Sequence, residues 1–195
     1  MSMSGLSDIK KIRERIRRYE RNLRKRDVRN RSGSRYLLGS LYLLLEDTEG
    51  ALAHYKWFAK KFTDDGGEPF HRLSWALALY RTGKVDEAAH RLRNVHSQNV
   101  YLIPTVLGIP HGQPSGLRRG ANWEDEDYIA HAQPEFLPMW QPEEKAWLQS
   151  VWDSPDFKGF VQTHINLVRQ LTHEPRGEKR TELIETLCAL PNAQS

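Results

Sequence analysis

A single cysteine, Cys188, stands in the 195 residues. One thiol excludes an intramolecular disulfide framework and a multi-cysteine metal site, and it fits a reducing compartment. On its apolar helix pattern beside Leu187 and Leu190, Cys188 is expected to be buried and inert. Long hydrophobic runs are also missing. Stretches such as YLLGSLYLLL from Tyr36 fall short of the roughly 20 apolar residues a membrane helix needs. The opening residues carry the charge of a signal peptide with no apolar run behind it, so no membrane contact is expected and the cytoplasm is the expected location. No glycine-rich phosphate loop, nucleophile elbow or paired histidine-carboxylate spacing occurs, and the eight histidines show no ligand spacing. The reading is therefore no enzyme, no catalytic residue, no cofactor and no metal.

Charge is present but unevenly placed. From Asp8 to Arg35 thirteen basic residues stand against four acidic ones, leaving +9; because the whole chain carries +4, the remainder carries −5. A basic arm is joined to a mildly acidic body. Within the arm Ile9, Ile12, Ile16, Tyr19 and Leu23 recur at spacings of 3 and 4, the apolar stripe of an α-helix. The pattern predicts one helix over about 8–29, capped by Ser7 and ended by Asn30 and Gly33. Glu14 with Arg18 and Glu20 with Arg24 form opposite-charge i,i+4 pairs.

Two readings of this arm compete. In the first, the stripe packs on the body and the arginines are solvated or meet its carboxylates. In the second, Lys10, Lys11, Arg13, Arg17, Arg18, Arg21, Arg24 and Lys25 form a nucleic-acid face for RNA or the ribosome. The stripe also leaves a homodimer open, although it is shorter than the three or four heptads of an independent coiled coil.

The middle of the chain repeats itself. HRLSWALALYRTGKVDEAAHRL, from His71, reads as a helix stopped at Gly83 and a second helix started by Asp86 and Glu87. Against SRYLLGSLYLLLEDTEGALAHYKWF, from Ser34, it aligns at an offset of 37: Gly39 with Ala76, Tyr42 with Leu79, Ala51 with Ala88, Tyr55 with Leu92, Phe58 with Val95. TDDGGEP connects the copies.

At these positions the chain resembles the tetratricopeptide repeat family, whose period is about 34 residues with small and large residues at fixed points. Leu38, Gly39, Tyr42, Ala51 and Tyr55 carry the resemblance in the first copy, and Trp75, Ala76, Leu79, Gly83, Ala88 and Leu92 in the second, over about 32–96. Thr63 and Val100 depart from the family's closing proline, and Arg35 and Arg72 from its frequent tryptophan. The resemblance implies a concave groove for a protein partner, lined by Tyr36, Ser40, Leu43 and Leu44 in the first copy and Phe70, Leu73, Leu77, Tyr80 and Arg81 in the second. That lining is mostly apolar, so either a partner helix or one of the chain's own helices is expected to fill it.

The remainder reads as further helices. VYLIPTVLGIP, from Val100, is expected to open a degenerate third hairpin interrupted at Pro104. His111–Trp123 is a polar loop whose Arg118 and Arg119 suit an acidic contact. NWEDEDYIAHA starts a helix with Asn122 as cap and an acidic first turn. QPEEKAWLQSVWDS turns Trp147, Leu148, Val151 and Trp152 to one face. In the next helix Ser154 is the cap, Pro155 follows it, and Phe157, Phe160, Val161, Leu167, Val168 and Leu171 face inward. A last short helix closes the chain.

The expected architecture is one all-α domain over 1–195: a basic amphipathic helix (1–31), tetratricopeptide-like helix-turn-helix hairpins (32–110), a loop (111–122) and C-terminal capping helices (123–195). The function this implies is a non-enzymatic interaction scaffold or adaptor, with an RNA- or ribosome-associated factor as the alternative.

Overall fold

The computed structural model describes residues 3–24, 33–110 and 124–192, with side chains from residue 8 onward in the first segment. Among these residues the chain forms ten α-helices and a closing 3-10 turn, and no strand. The helices are α1 (Met3–Arg24), α2 (Ser34–Leu44), α3 (Thr48–Lys61), α4 (Pro69–Arg81), α5 (Val85–Gln98), α6 (Leu102–Leu107), α7 (Asp127–Ala130), α8 (Pro142–Asp153), α9 (Pro155–His173) and α10 (Glu178–Ala189). The fold is all-α, built by helix packing on helix.

The 37-residue offset extends from side chains to backbone. At the end of α2 the amides of Leu45, Glu46 and Asp47 donate to the carbonyls of Tyr42, Leu43 and Tyr42; at the end of α4 those of Thr82, Gly83 and Lys84 donate to Leu79, Tyr80 and Leu79. Each bond in the second turn lies 37 positions beyond its counterpart. Glu46 and Gly83, equivalent by the same offset, both adopt the left-handed conformation, at φ 60° and 76°. Gly83 does so without strain, whereas Glu46 bears the cost that a Cβ imposes there. The next helices also enter alike, with Ala51 donating to Asp47 and Ala88 to Lys84. They leave alike too, with Phe62 donating to Phe58 and Asn99 to Val95.

Two compact units divide the chain: Met1–Ala88 with Gln133–Met139, and Ala89–Ala132 with Trp140–Ser195. One continuous domain was the expectation. The division falls inside α5, where an uninterrupted helix shows no linker composition to mark it.

In the first unit α2 packs on α1, α3 and α4, and α3 on α4. Gly39 lets α2 and α3 approach closely. A Cβ there would stand 2.4 Å from the Tyr55 ring, which is itself wholly buried. That ring stacks on Trp75 of α4 at 5.2 Å and 7°, and the hydroxyls of Ser40 and Ser74 bond at 2.8 Å in the core. Asp65, in the connection between the repeats, accepts from the Tyr36 hydroxyl at 2.8 Å and pairs with Arg35 at 3.0 Å. Arg35 therefore ties α2 to the connection between the repeats.

In the second unit α6 packs on α8, α8 on α9, and α9 on α10. Tyr101, Leu102, Ile103, Leu148, Phe157, Phe160 and Leu167 are buried. Pro142 and Pro155 open their helices, where a missing N–H costs nothing. Ser154 caps α9 by accepting the Phe157 amide at 3.2 Å, as expected.

Several local expectations are corrected. Ser7 lies inside α1, which starts at Met3; a cap-forming serine costs only tenths of a kcal/mol within a helix, so it does not compel a start. Pro104 is the third residue of α6 and does not interrupt it, because first-turn amides have no intrahelical acceptor to lose. Asp127 opens the four-residue α7, so Glu124–Glu126 precede that helix. Cys188 is exposed: α10 contains no buried residue, so its apolar pattern faces solvent as well as α9. Asn30, Asn122 and the loop arginines Arg118 and Arg119 lie outside the described residues.

Candidate nucleic-acid interface

Helix α1 is held to the first unit along one edge. Ile16 is buried, and Ile9, Ile12, Tyr19 and Leu23 are half-buried. Two polar clamps fix the rotation of the helix. Arg15 donates to the Glu135 carboxylate and, at 3.0 Å, to Gln133. Glu20 accepts from the Tyr42 hydroxyl at 2.6 Å. The carboxylate expected to offset Arg24 is thus used to anchor the helix.

That rotation leaves a row of cations outward. Lys10, Arg13, Arg17, Arg21 and Arg24, spaced 3, 4, 4 and 3, fall within about 80° of helix circumference and extend about 21 Å. All five are exposed, and none makes a hydrogen bond or ion pair among the described residues. Adjacent members repel, at about 0.2–0.5 kcal/mol for each of four neighbouring pairs, so the row costs the folded chain about 1–2 kcal/mol. Exposed Glu14 borders it. Two other predicted face residues have local partners: Lys11 pairs with Asp8 at 3.4 Å, and the Arg18 guanidinium lies 5.3 Å from the Tyr19 ring centre. Lys25 lies outside the described residues.

The residues assigned to a partner groove are brought together but are covered. Ser40, Leu43, Phe70, Leu73 and Leu77 are at most 4% exposed. Leu44, Tyr36, Tyr80 and Arg81 are half-buried. Part of this cover is Gln133–Met139, which belongs to the first unit. Phe136 is 2% exposed and meets Phe70 at 6.2 Å between ring centres; Arg81 donates to the carbonyls of Leu43 and Met139, both at 3.2 Å. No periodicity pointed to this segment. An aromatic between two prolines was its only signal.

Buried histidines were missed as well. His71 sits among Tyr36, Tyr55, Phe58 and Trp75, with its Nδ1 3.2 Å from the Tyr36 carbonyl and its Nε2 without a partner. Burial, reinforced by neighbouring His54, lowers its pKa to about 3. In the second unit His96 and His164 meet edge to face at 5.3 Å among Trp152, Phe157 and Phe160. Burial lowers them to about 3 and about 4. These rings are neutral packing elements. Among the described residues no group of three or more histidine, cysteine or carboxylate side chains is arranged to hold a metal. The described open cavity, about 370 Å³ along α9 and α10, is lined by Arg169, Gln170, His173, Glu174 and Lys179 and is crossed by the Lys179–Glu174 ion pair at 2.8 Å.

No family model, curated protein or solved structure matches this chain. No helix among the described residues is long and apolar enough to cross a membrane.

Proposed function

We propose that the chain is a non-enzymatic docking protein of the tetratricopeptide type, working in the cytoplasm, whose α1 engages the phosphate backbone of RNA, ribosomal RNA included. The observation that carries this reading is the row of five exposed cations, without a hydrogen bond or ion pair among the described residues, on a helix whose opposite edge is anchored. Its repulsion costs stability in the free chain and is relieved by a polyanion. RNA is favoured because a straight row of cations on a helix docked along one edge suits the phosphates and 2′-hydroxyls that A-form RNA presents across a wide, shallow face.

Fluorescence anisotropy with a labelled RNA hairpin tests the reading. The Arg17→Glu, Arg21→Glu, Arg24→Glu triple variant is expected to lose binding while keeping its far-UV circular dichroism. Wild-type affinity in the triple variant would refute it. A DNA duplex of matched sequence is expected to bind more weakly.

A second reading, a protein-protein adaptor using the inner face of the hairpins, is favoured by a different observation. That face already holds a polypeptide segment, Gln133–Met139.

A further inference from the structure

Gln133–Met139 is an isolated insertion: it belongs to the first unit, while the residues on both sides of it belong to the second. Its attachments are those of a short ligand. Glu135 supplies one carboxylate to Arg15, and Gln133 supplies a side-chain oxygen to the same guanidinium. Phe136 supplies an aromatic anchor against Phe70. The Met139 carbonyl accepts from Arg81. The receiving groups come from α1 and α4, so the seat is complete within the first unit. An ion pair, one buried aromatic and one carbonyl bond form a compact recognition code that another chain could also present.

We propose that this seat is a peptide-binding site occupied in cis. Its external ligand is a partner protein presenting an acidic residue followed by a large aromatic in a turn, which competes with Glu135 and Phe136. The inference rests on the adaptor reading and is independent of RNA docking. Charge complementarity commits the ligand to an acidic segment: Arg15 is the guanidinium at the entrance, and Phe70 is the apolar floor. A basic or purely apolar peptide would leave Arg15 half-buried and unpaired. Because the resident segment is tethered, its effective concentration is high, and the wild-type chain binds an external peptide weakly.

The probe is a labelled synthetic peptide, HAQPEFLPMWQ, added to the full chain. Wild type is expected to bind it at least tenfold more weakly than the Phe136→Ala variant, whose own segment has lost its anchor. Adding Arg15→Glu to Phe136→Ala should abolish binding, and a peptide with lysine in place of its glutamate should restore it. A folded Phe136→Ala variant that binds no better than wild type, or binding indifferent to the charge at position 15, overturns the proposal. Should Phe136→Ala fail to fold, Glu135→Ala serves in its place: severalfold tighter peptide binding is expected, and no gain overturns the proposal. RNA affinity measured on the Phe136→Ala variant separates the two surfaces, since that substitution keeps Arg15, Gln133 and Glu135 and leaves the cation row in place. If instead every variant seats the peptide as predicted but no interaction with another protein follows, the adaptor reading fails and the seat stands as an internal clasp.

Discussion

Glu46 and Gly83 occupy the same place in the two repeats, with the same hydrogen bonds and the same left-handed backbone. Exchanging their chemistry should therefore move stability in opposite directions. In the left-handed region an L-residue costs about 1–2 kcal/mol relative to glycine, while glycine gives back about 0.4–1 kcal/mol through unfolded-state entropy. Glu46→Gly is expected to stabilise the first unit by about 0.5–1 kcal/mol, and Gly83→Ala to destabilise it by a similar amount. Contacts do not confuse the comparison at Gly83, because a Cβ there meets nothing within 4 Å. Glu46 is exposed. The assay is urea unfolding of each full-length variant, followed by far-UV circular dichroism and by tryptophan fluorescence. With a slope of about 2 kcal/mol/M the midpoints should move about 0.3–0.5 M up and down respectively. Shifts of the same sign in both variants would refute the claim that the two turns are one repeated structure.

Other consequences can be checked on the same material. Gly39→Ala drives a methyl into the buried Tyr55 ring and should cost about 1–3 kcal/mol, with loss of the near-ultraviolet signal from the Tyr55–Trp75 stack; an unchanged urea midpoint would contradict the close approach of α2 and α3. Burial lowers His71 and His96 to about 3 and His164 to about 4, from an ordinary 6.5, so the unfolded chain takes up these protons first. Their contribution is complete above about pH 6.5 and declines below it by up to about 1.4 kcal/mol per histidine per pH unit, until the folded-state values are reached. His96→Phe should flatten that decline between pH 7 and 5, and a slope unaltered by the substitution would count against a neutral buried His96. Cys188 should react with a thiol-specific disulfide reagent in the folded chain at the rate of a free thiol, and protection released only by urea would show α10 to be covered.

Legibility in the sequence followed the range of the forces involved. The helices of the two repeats announced themselves because each buries a face at helical spacing, and positions such as Ala51 and Ala88 tolerate only small residues at the contact. The stripe on α1 was visible for the same reason. Which arginine would be consumed was not, since Arg15 meets Glu135 across 120 residues of sequence. Phe136 and Met139 belong to no periodic run, so nothing local distinguishes a segment that plugs a hairpin face from an ordinary connector. His71, His96 and His164 carry a polar label but pack as aromatic rings, and residue type alone cannot separate those roles. Cys188 shows the reverse failure. Apolar periodicity identifies a helix face, but whether a terminal helix is covered on that face depends on the neighbours available to cover it.

If the five exposed cations along α1 meet a nucleic-acid backbone, binding must depend steeply on salt. Each neutralised phosphate contributes about −0.7 to −0.9 to the slope of log K against log salt, so five contacts predict a slope of about −3.5 to −4.5. Raising monovalent salt from about 50 mM to about 200 mM should then weaken RNA binding by roughly two to three orders of magnitude. Removing Arg17, Arg21 and Arg24 should reduce the slope by about three-fifths. A slope near zero, or one unchanged when those three arginines are replaced, would rule out phosphate contact by this row.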